Sequence, residues 1–413
     1  MWQPELPSDA RRIVLARALR GFADGCVSVL LPAHLLALGH GALAVGAIST
    51  ATLLGSALAT LAVGFLAGRL PIRLVLLGGA LLMAATGVGF AGLRELGPLL
   101  AIAFVGTLNP SAGDVSLFLP VEHALLARLV PEARRTALFA RYATAGGLAA
   151  AFGALAAGLP DLLAALGLAS RGFALRAGFG IYVLVAVGLV GLYQGLRVPP
   201  EAPSSAAQPR APRAEGERSH GLGPSRRRVL ALSALFSLDA FGGGLVVQSL
   251  LALWLFQRFG LSLGDAGLLF FATGLAAALS QLAAPALARR IGLVRTMVFP
   301  HLVANACLVA LPFAPSLPLA LALLGLRSLL SSLDVPARSA FVMSVVTPAE
   351  RAAAASVTNV PRSLAAAAGP ALAGVLLAGT SFGWPLLLAG LVKGAYDLLL
   401  LAAFGRVRPA PPD

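Results

Sequence analysis

The stretch Arg327-Ser-Leu-Leu-Ser331-Ser-Leu-Asp334-Val-Pro336-Ala-Arg338 places two arginines and an aspartate inside a run that otherwise has the apolar character of a membrane span. Its polar positions 327, 331, 334 and 338 are spaced for one face of a helix. A charge at the centre of a bilayer costs at least about 2.5–3.5 kcal/mol, so it normally faces a partner or a water-filled cavity. The stretch therefore predicts a polar face inside a membrane protein.

The composition agrees with this interpretation. Hydrophobic residues make up 58% of the chain and charged residues 12%, and the mean hydropathy is +0.87. Soluble domains are closer to half apolar and a quarter charged, so the chain is predicted to cross a membrane many times. The formal net charge of +14 would suggest a nucleic-acid partner in a soluble protein. Here most arginines fall in segments predicted to be cytoplasmic, which indicates the positive-inside rule and no nucleic-acid partner.

Twelve apolar runs have the length that crosses a bilayer. They cover approximately residues 12–38, 43–67, 74–93, 98–125, 137–159, 176–197, 228–257, 265–288, 294–313, 317–346, 352–379 and 384–405. Residues 198–226 separate two sets of six, and their Pro, Ala, Ser, Glu and Arg without apolar periodicity indicate a flexible linker. The prediction is an all-α membrane protein with 12 transmembrane helices in two pseudo-symmetric six-helix bundles, residues 1–197 and 227–413.

The two halves also repeat in sequence. Ser111-Ala-Gly-Asp114-Val matches Ser331-Ser-Leu-Asp334-Val as S-x-x-D-V, and Arg11-Arg12 before the first span matches Arg227-Arg228 before the seventh. Repeats in a multi-span chain are typical of transporter folds. With the linker and both termini on the basic side, the chain is predicted to lie in the inner (cytoplasmic) membrane with both termini cytoplasmic.

The turn after the second span carries a recognisable pattern. It reads Gly64-Phe-Leu66-Ala-Gly68-Arg69-Leu-Pro71-Ile-Arg73 and resembles the loop 2–3 signature of the major facilitator superfamily, Gly-x-Leu-x-Asp-Arg-x-Gly-Arg-Arg/Lys. The matching positions are Gly64, Leu66, Arg69 and Arg73. The acidic position is Gly68 here and Arg289 in the second-half copy, so the charge-relay latch that the resemblance implies is not expected to be strong.

The resemblance implies a secondary active transporter whose spans 1, 4, 7 and 10 line a central cavity. One intramembrane aspartate falls in each of those spans. A carboxylate in a low dielectric favours its neutral form and a nearby arginine favours the charged form, so such a group can bind and release a proton as access alternates. The predicted substrate and ion-coupling residues are Arg20, Asp24, Asp114, Asp239, Arg327, Asp334 and Arg338. The alternative is that the aspartates are hydrogen-bonding groups that hold helices together.

Other polar residues receive more limited interpretations. The predicted gating residues are Arg69, Arg73, Arg141, Asn359 and Arg362. Lys393 and Asp397, four residues apart in span 12, are expected to neutralise each other. His34, His123 and His301 are interpreted as satisfied histidines near span ends rather than as proton carriers.

The preferred function is proton-coupled efflux of a small organic or drug-like solute, because the aspartates accompany an otherwise apolar lining. An organic-anion symporter or exchanger, suggested by Arg20 and Arg327, is the alternative, and a non-transporting membrane scaffold is the third. Gly379-Thr-Ser381-Phe-Gly383 matches G-x-S-x-G but lies in a short predicted turn between two spans, so no enzyme is predicted. The expected partners are a small-molecule substrate, a coupling ion and membrane lipid, with a monomeric chain, no cofactor and no metal.

Overall fold

The computed structural model of the protein describes residues 6–66, 70–111, 117–197, 223, 225–346 and 350–405, which are almost entirely helical. Asp114, Arg69 and most of the predicted linker lie outside these ranges. The helices are α1 (Ser8–Ala37), α2 (Ala42–Leu66), α3 (Ile72–Gly92), α4 (Leu96–Val105), α5 (Phe118–Leu129), α6 (Glu132–Ala156), α7 (Leu159–Ala165), α8 (Arg171–Gly178), α9 (Gly180–Gln194), α10 (Arg226–Leu245), α11 (Gln248–Phe259), α12 (Leu263–Ile291), α13 (Leu293–Ala310), α14 (Leu317–Ser331), α15 (Asp334–Ser344), α16 (Arg351–Ala378) and α17 (Trp384–Phe404).

Within the described residues, ten helical stretches are long and apolar enough to cross a membrane. Predicted spans 1 and 4 are not among them. Span 1 corresponds to α1, which is 30 residues long but carries Arg17, Arg20 and Asp24 in its apolar run. Span 4 is divided between the 10-residue α4 and the separate α5. The helical membrane fold is confirmed, whereas the count of twelve spans stays a prediction.

The stretch around Asp334 is not one continuous helix. α14 ends at Ser331 and α15 begins at Asp334, so Ser332 and Leu333 connect two helices. Pro336 explains the break, because it has no N–H to donate to the carbonyl of residue 332 and its ring clashes with that carbonyl. Asp334 consequently stands in the first turn of α15, where the helix dipole favours a carboxylate. The prediction of a single helical face over residues 327–338 was wrong.

Two other predicted spans are also interrupted. α10 ends at Leu245, after the run Gly242-Gly-Gly244, and α11 begins at Gln248. α4 ends at Val105, and residues 106–111 continue without regular structure. Three of the four spans implied to line a cavity are therefore broken near their middle.

Glycines bring α1 and α6 into close contact. A Cβ atom added at Gly25 would lie 2.0 Å from the carbonyl oxygen of Ala150, and one at Gly153 would lie 1.9 Å from that of Phe22. Between α2 and α16, a Cβ at Gly46 would lie 2.5 Å from the carbonyl oxygen of Pro370. These helices approach so closely because small residues remove the side chains between their backbones.

We expect Gly25→Ala to lower the melting temperature of the purified protein, because the added methyl group overlaps the Ala150 carbonyl. Overpacking of this kind costs about 1–3 kcal/mol. Gly191→Ala in α9 is the matched control, since an added Cβ meets nothing within 4 Å there. Equal melting temperatures for the two variants in a thermal-shift measurement would contradict the α1–α6 packing.

Candidate functional site

A cavity of about 500 Å³ lies where α1, α6, α10, α11, α12, α14 and α15 meet. Its apolar wall includes Val246, Leu251, Leu269, Phe270 and Leu324. Its polar wall includes Arg17, Ser111, Gln248, Gln281, Arg327 and Ser331. An apolar cavity of this size with a few convergent polar groups is typical of a small-molecule site.

The charged groups on the described part of the cavity wall are both arginines. Arg17 comes from α1 and is buried, with its guanidinium 5.7 Å from the ring centroid of Tyr142. Arg327 comes from α14 and makes no hydrogen bond or ion pair with any described residue, and its Nε is buried without a partner. A desolvated guanidinium without a counter-charge is costly, so this wall favours a negatively charged occupant.

Arg20 lies away from the cavity in a buried cluster of the first half. Its Nη1 and Nη2 donate to the two carboxylate oxygens of Glu122 over 2.7 and 2.6 Å. The hydroxyls of Tyr142 and Tyr193 donate to the same carboxylate over 2.5 and 2.7 Å. The guanidinium also stacks 4.3 Å above the ring centroid of Phe118. This bidentate arrangement occupies Arg20 structurally and joins α1, α5, α6 and α9.

Asp24 lies one turn further along α1 and has no ion pair with any described residue. The Tyr182 hydroxyl donates to its Oδ1 over 2.5 Å, and Asn109 Nδ2 lies 3.5 Å from its Oδ2. Its side chain is buried. Its described hydrogen bonds come from neutral groups, and Arg17 and Arg20 of the same helix act on it only electrostatically. A buried carboxylate without a direct ion pair is suited to reversible protonation.

Asp239 is the centre of a second cluster, in the second half. Lys393 Nζ donates to its Oδ1 over 2.5 Å, and Arg338 Nη1 lies 3.3 Å from its Oδ2. Arg338 Nη2 also donates to Asp334. The cluster therefore connects α10, α15 and α17 through buried ion pairs.

His301 extends this cluster from α13. Its Nδ1 lies 2.8 Å from Asp397 Oδ1, and its Nε2 lies 3.8 Å from Asp239 Oδ1. Asn305 Nδ2 donates to the other oxygen of Asp397 over 2.8 Å. Lys393 thus pairs with Asp239 and not with Asp397, so the predicted neutralisation within span 12 was wrong. His301 is a buried member of a charged network and not an interfacial histidine.

The three aspartates that the structure describes do not gather at one shared pocket as the sequence suggested. Asp24, Asp239 and Asp334 are all buried but none of them lines the cavity. Of the predicted coupling residues that the structure describes, Arg327 alone lies on the cavity wall. The reason is that each of these three carboxylates is satisfied within its own predicted half, by hydroxyl and amide donors or by cations.

The described gating residues are exposed, and Arg362 among them lies near enough to Asp239, Asp334 and Arg338 to interact electrostatically with the second cluster. They are Arg73, whose Nη2 donates to the carbonyl oxygen of Gln194 over 2.7 Å, and Arg141, Asn359 and Arg362. Ser381 lies between α16 and α17, where its carbonyl oxygen accepts a hydrogen bond from Trp254 Nε1 over 3.1 Å. Their predicted roles remain predictions.

Sequence reasoning missed the residues that complete the buried clusters. The sequence predicts His301 near a span end, and it does not single out Glu122 or the tyrosines. The chain has only four tyrosines, and all four are fully buried beside the charged clusters: Tyr142, Tyr182, Tyr193 and Tyr396. The hydroxyls of Tyr142, Tyr182 and Tyr193 hydrogen-bond to charged side chains, whereas that of Tyr396 has no hydrogen-bond partner among the described residues. The rarity of tyrosine within apolar runs was the available signal, because a buried hydroxyl usually finds a polar partner.

We expect Arg20→Met to destabilise the protein by about 3–5 kcal/mol, because Glu122 would be left buried without its cation. The double variant Arg20→Met/Glu122→Leu should recover most of that loss, since neither charge remains. Thermal unfolding of the three proteins in detergent tests this. A stable Arg20→Met protein would show that the pair does not hold the bundle together.

The sequence of this chain is similar to those of known membrane proteins. The sequence profile of the Major Facilitator Superfamily matches residues 13–325 and 232–413. An uncharacterized membrane protein of Saccharomyces cerevisiae, YJR124C, is 26% identical over 414 residues, which cover 94% of this chain and 92% of the yeast protein.

Solved structures of transporters share the fold. A bacterial homolog of the human lysosomal transporter Spinster, in an inward-facing conformation, superposes with a TM-score of 0.72 at 16% identity and covers 98% of both chains. A D-xylose-proton symporter superposes with a TM-score of 0.72 at 16% identity, covering 95% of this chain and 97% of its own. The human organic anion transporter MFSD10 gives a TM-score of 0.64 at 20% identity, covering 95% of this chain and all of its own. This chain belongs to the Major Facilitator Superfamily of membrane transporters.

Proposed function

We propose that this protein is a secondary active transporter that moves a small organic solute through the arginine-containing cavity by alternating access. The observation that carries the proposal is the cavity itself, which is lined by helices from both predicted halves. A site at the junction of two repeats becomes accessible from either side when the halves rock against each other. Residues 1–197 and 227–413 are the proposed moving bodies, and residues 198–226 tether them.

The contacts around the cavity support an inward-open arrangement. On the face proposed to be extracellular, Leu263 N donates to Asp161 Oδ2 over 2.9 Å, which joins the two halves. On the face proposed to be cytoplasmic, Arg141, Asn359 and Arg362 are exposed. The protein is proposed to work as a monomer in the inner membrane with both termini cytoplasmic, and its basic turns are proposed to contact anionic lipid.

Proton coupling is the proposed energy source, with efflux as the direction. Asp24 is the strongest single candidate in the first half, because its described partners are neutral donors. A proton can therefore be added without breaking an ion pair. Asp334 and Asp239, by contrast, are held by permanent cations in the second half.

We expect Asp24→Asn to abolish proton-gradient-driven flux in proteoliposomes, because an amide cannot bind and release the proton. The amide oxygen can still accept the hydrogen bond from Tyr182, so the fold should be retained. Asp265→Asn is the control, since Asp265 is exposed at the start of α12 and its side chain accepts a hydrogen bond from Ser262. Gradient-driven accumulation that persists in Asp24→Asn would remove this residue from the coupling mechanism. Opposing proton gradients applied to the same vesicles test the direction.

A specific observation also favours the second candidate, an organic-anion symporter or exchanger. Arg327 presents a guanidinium to the cavity with no acidic partner among the described residues. Nearby, α11 begins at the cavity wall with Gln248, and the N-terminus of a helix adds a partial positive charge. Both features favour an anionic group on the solute.

We expect the protein to be stabilised by naphthoate more than by naphthamide or by naphthylmethyl trimethylammonium, three probes with one apolar body and different charge. Arg327→Gln should weaken naphthoate binding by roughly tenfold to a hundredfold, the range of about 1.5–3 kcal/mol for a charge-assisted hydrogen bond. Arg327→Lys should retain part of it, and Arg258→Gln, which removes an exposed arginine, should change nothing. Equal stabilisation by all three probes would exclude an anion-selective cavity.

A further inference from the structure

The buried cluster in the second half has an unbalanced charge. It contains three carboxylates and two permanent cations, all with side chains no more than 14% exposed. The five residues are Asp239, Asp334, Asp397, Arg338 and Lys393. Arg362 makes no ion pair with any of them in the described part of the chain, although it lies near enough to Asp239 and Asp334 to interact with both electrostatically. With all three carboxylates ionised, Lys393 and Arg338 cannot give each of them a cation of its own, and an unpaired charge is costly in a low-dielectric environment.

His301 is the group that can balance this charge. Because an ionised carboxylate only accepts hydrogen bonds, the 2.8 Å contact to Asp397 places the hydrogen of the neutral imidazole on Nδ1. The lone pair of Nε2 is then left 3.8 Å from Asp239 Oδ1. A proton on Nε2 would create an imidazolium between two carboxylates and bring the charge of the cluster to zero.

The groups that face His301 come from several helices. α10 contributes Asp239, α15 contributes Asp334 and Arg338, and α17 contributes Lys393, Tyr396 and Asp397. On the other sides, α14 carries Arg327, the last turn of α12 carries the exposed Arg289 and Arg290, and α13 itself carries Asn305, Cys307 and the exposed Arg295. Both groups within ion-pair distance of the imidazole are carboxylates. Lys393 opposes protonation, but it is already bound to Asp239 Oδ1.

We propose that His301 binds a second coupling proton, in addition to the one assigned to Asp24, in a site formed with Asp239 and Asp397. This inference rests on the proposed function as a proton-coupled transporter. The added proton gives Asp239 a further cation beside Lys393 at Oδ1, which weakens the attraction of this carboxylate for Arg338, whose Nη1 lies 3.3 Å from Oδ2. Arg338 belongs to α15, and Ser332 and Val335 at the start of that helix line the cavity. Proton binding is thereby connected to the wall of the solute site through one helix.

The direct test is nitrogen NMR of the full-length protein in lipid nanodiscs with isotope-labelled histidine. The chain has five histidines, and the signals missing from His301→Gln identify this one. When the pH is lowered across the range in which the purified protein stays folded, the His301 signals should change from the Nδ1–H tautomer to the doubly protonated form. A His301 that keeps one protonation state throughout this range overturns the proposal.

Asp397→Asn provides a second way to assign the NMR signals of His301 if His301→Gln does not fold. The Nδ1–H group would lose its carboxylate acceptor, so the His301 signals should move while those of the other histidines stay. Unchanged signals for every histidine in this variant would overturn the geometry on which the proposal depends.

The second readout is transport in proteoliposomes. It uses whichever of the three naphthalene probes the wild-type protein transports. His301→Gln fixes the site in a neutral form and His301→Lys fixes it in a charged form. Both variants should still exchange probe across the membrane without a proton gradient, and both should lose gradient-driven accumulation to the level of protein-free liposomes. His34→Gln is the control, because His34 is equally buried but contacts the ring of Phe179 and no described carboxylate.

The NMR and transport measurements distinguish the proposed proton site from the proposed transport function. A histidine that titrates in a protein that carries no probe would leave the proton site standing and count against the transport function. Gradient-driven accumulation that persists in both His301 variants would overturn the proton site while the transport function stands.

Discussion

The cost of burying charge in a low-dielectric membrane bundle governs the arrangement of this protein. In the first half, Arg20 is neutralised by Glu122 and enclosed by two tyrosine hydroxyls. In the second half, Asp239 is shared between Lys393 and Arg338. These contacts join helices that are far apart in the chain, because a charge in a span must find its partner on another helix or in water. Arg327 is the described exception, and it faces the cavity.

Helix breaks determine where that cavity lies in the bundle. The chain leaves regular helix geometry after Val105, after Leu245 and after Ser331. Residues in all three interruptions line the cavity: Ser111, Val246, Val247 and Ser332. Irregular backbone at membrane depth is tolerated only where it is buried in protein or lines an aqueous space, since its free N–H and C=O groups need partners. The same breaks that weaken three spans therefore form part of the cavity wall, as in transporters with discontinuous helices.

Close helix packing supplies the rigid frame around this space. Gly25 and Gly153 let α1 and α6 meet backbone to backbone, and Gly46 does the same for α2 and α16. The second of these contacts crosses between the proposed halves. Polar contacts between the described residues of the two halves include Ser49 to Ser249 at 3.2 Å, Ser249 N to the Pro110 carbonyl at 3.1 Å and Leu263 N to Asp161 at 2.9 Å. An interface with small residues and few polar contacts can separate and re-form at modest cost, which suits two bodies that rock against each other.

Apolar run lengths, the linker composition and the internal repeat were enough to predict the helical membrane fold, and the resemblance of the turn at residues 64–73 to a known signature added the family. They worked because hydrophobic length and charge asymmetry are local properties of the chain. Pro336 and the glycines at 242–244 are residues that favour helix breaks. The breaks were not predicted, because the hydropathy of both spans is continuous across these positions. The partners of the buried charges could not be predicted in this way. Arg20 and Asp24 are one turn apart, but Arg20 binds Glu122 on α5.

What the sequence determined by itself is therefore the number and kind of the polar residues placed in an apolar chain, together with the spans that hold them. What only the tertiary structure decided is which charges are satisfied and which remain available. Lys393 and Asp397 are neighbours along α17, yet one binds Asp239 and the other binds His301. The physical reason is that an ion pair in a bundle forms between the groups that packing brings within about 4 Å, and that distance is set by helix contacts and not by spacing along one helix.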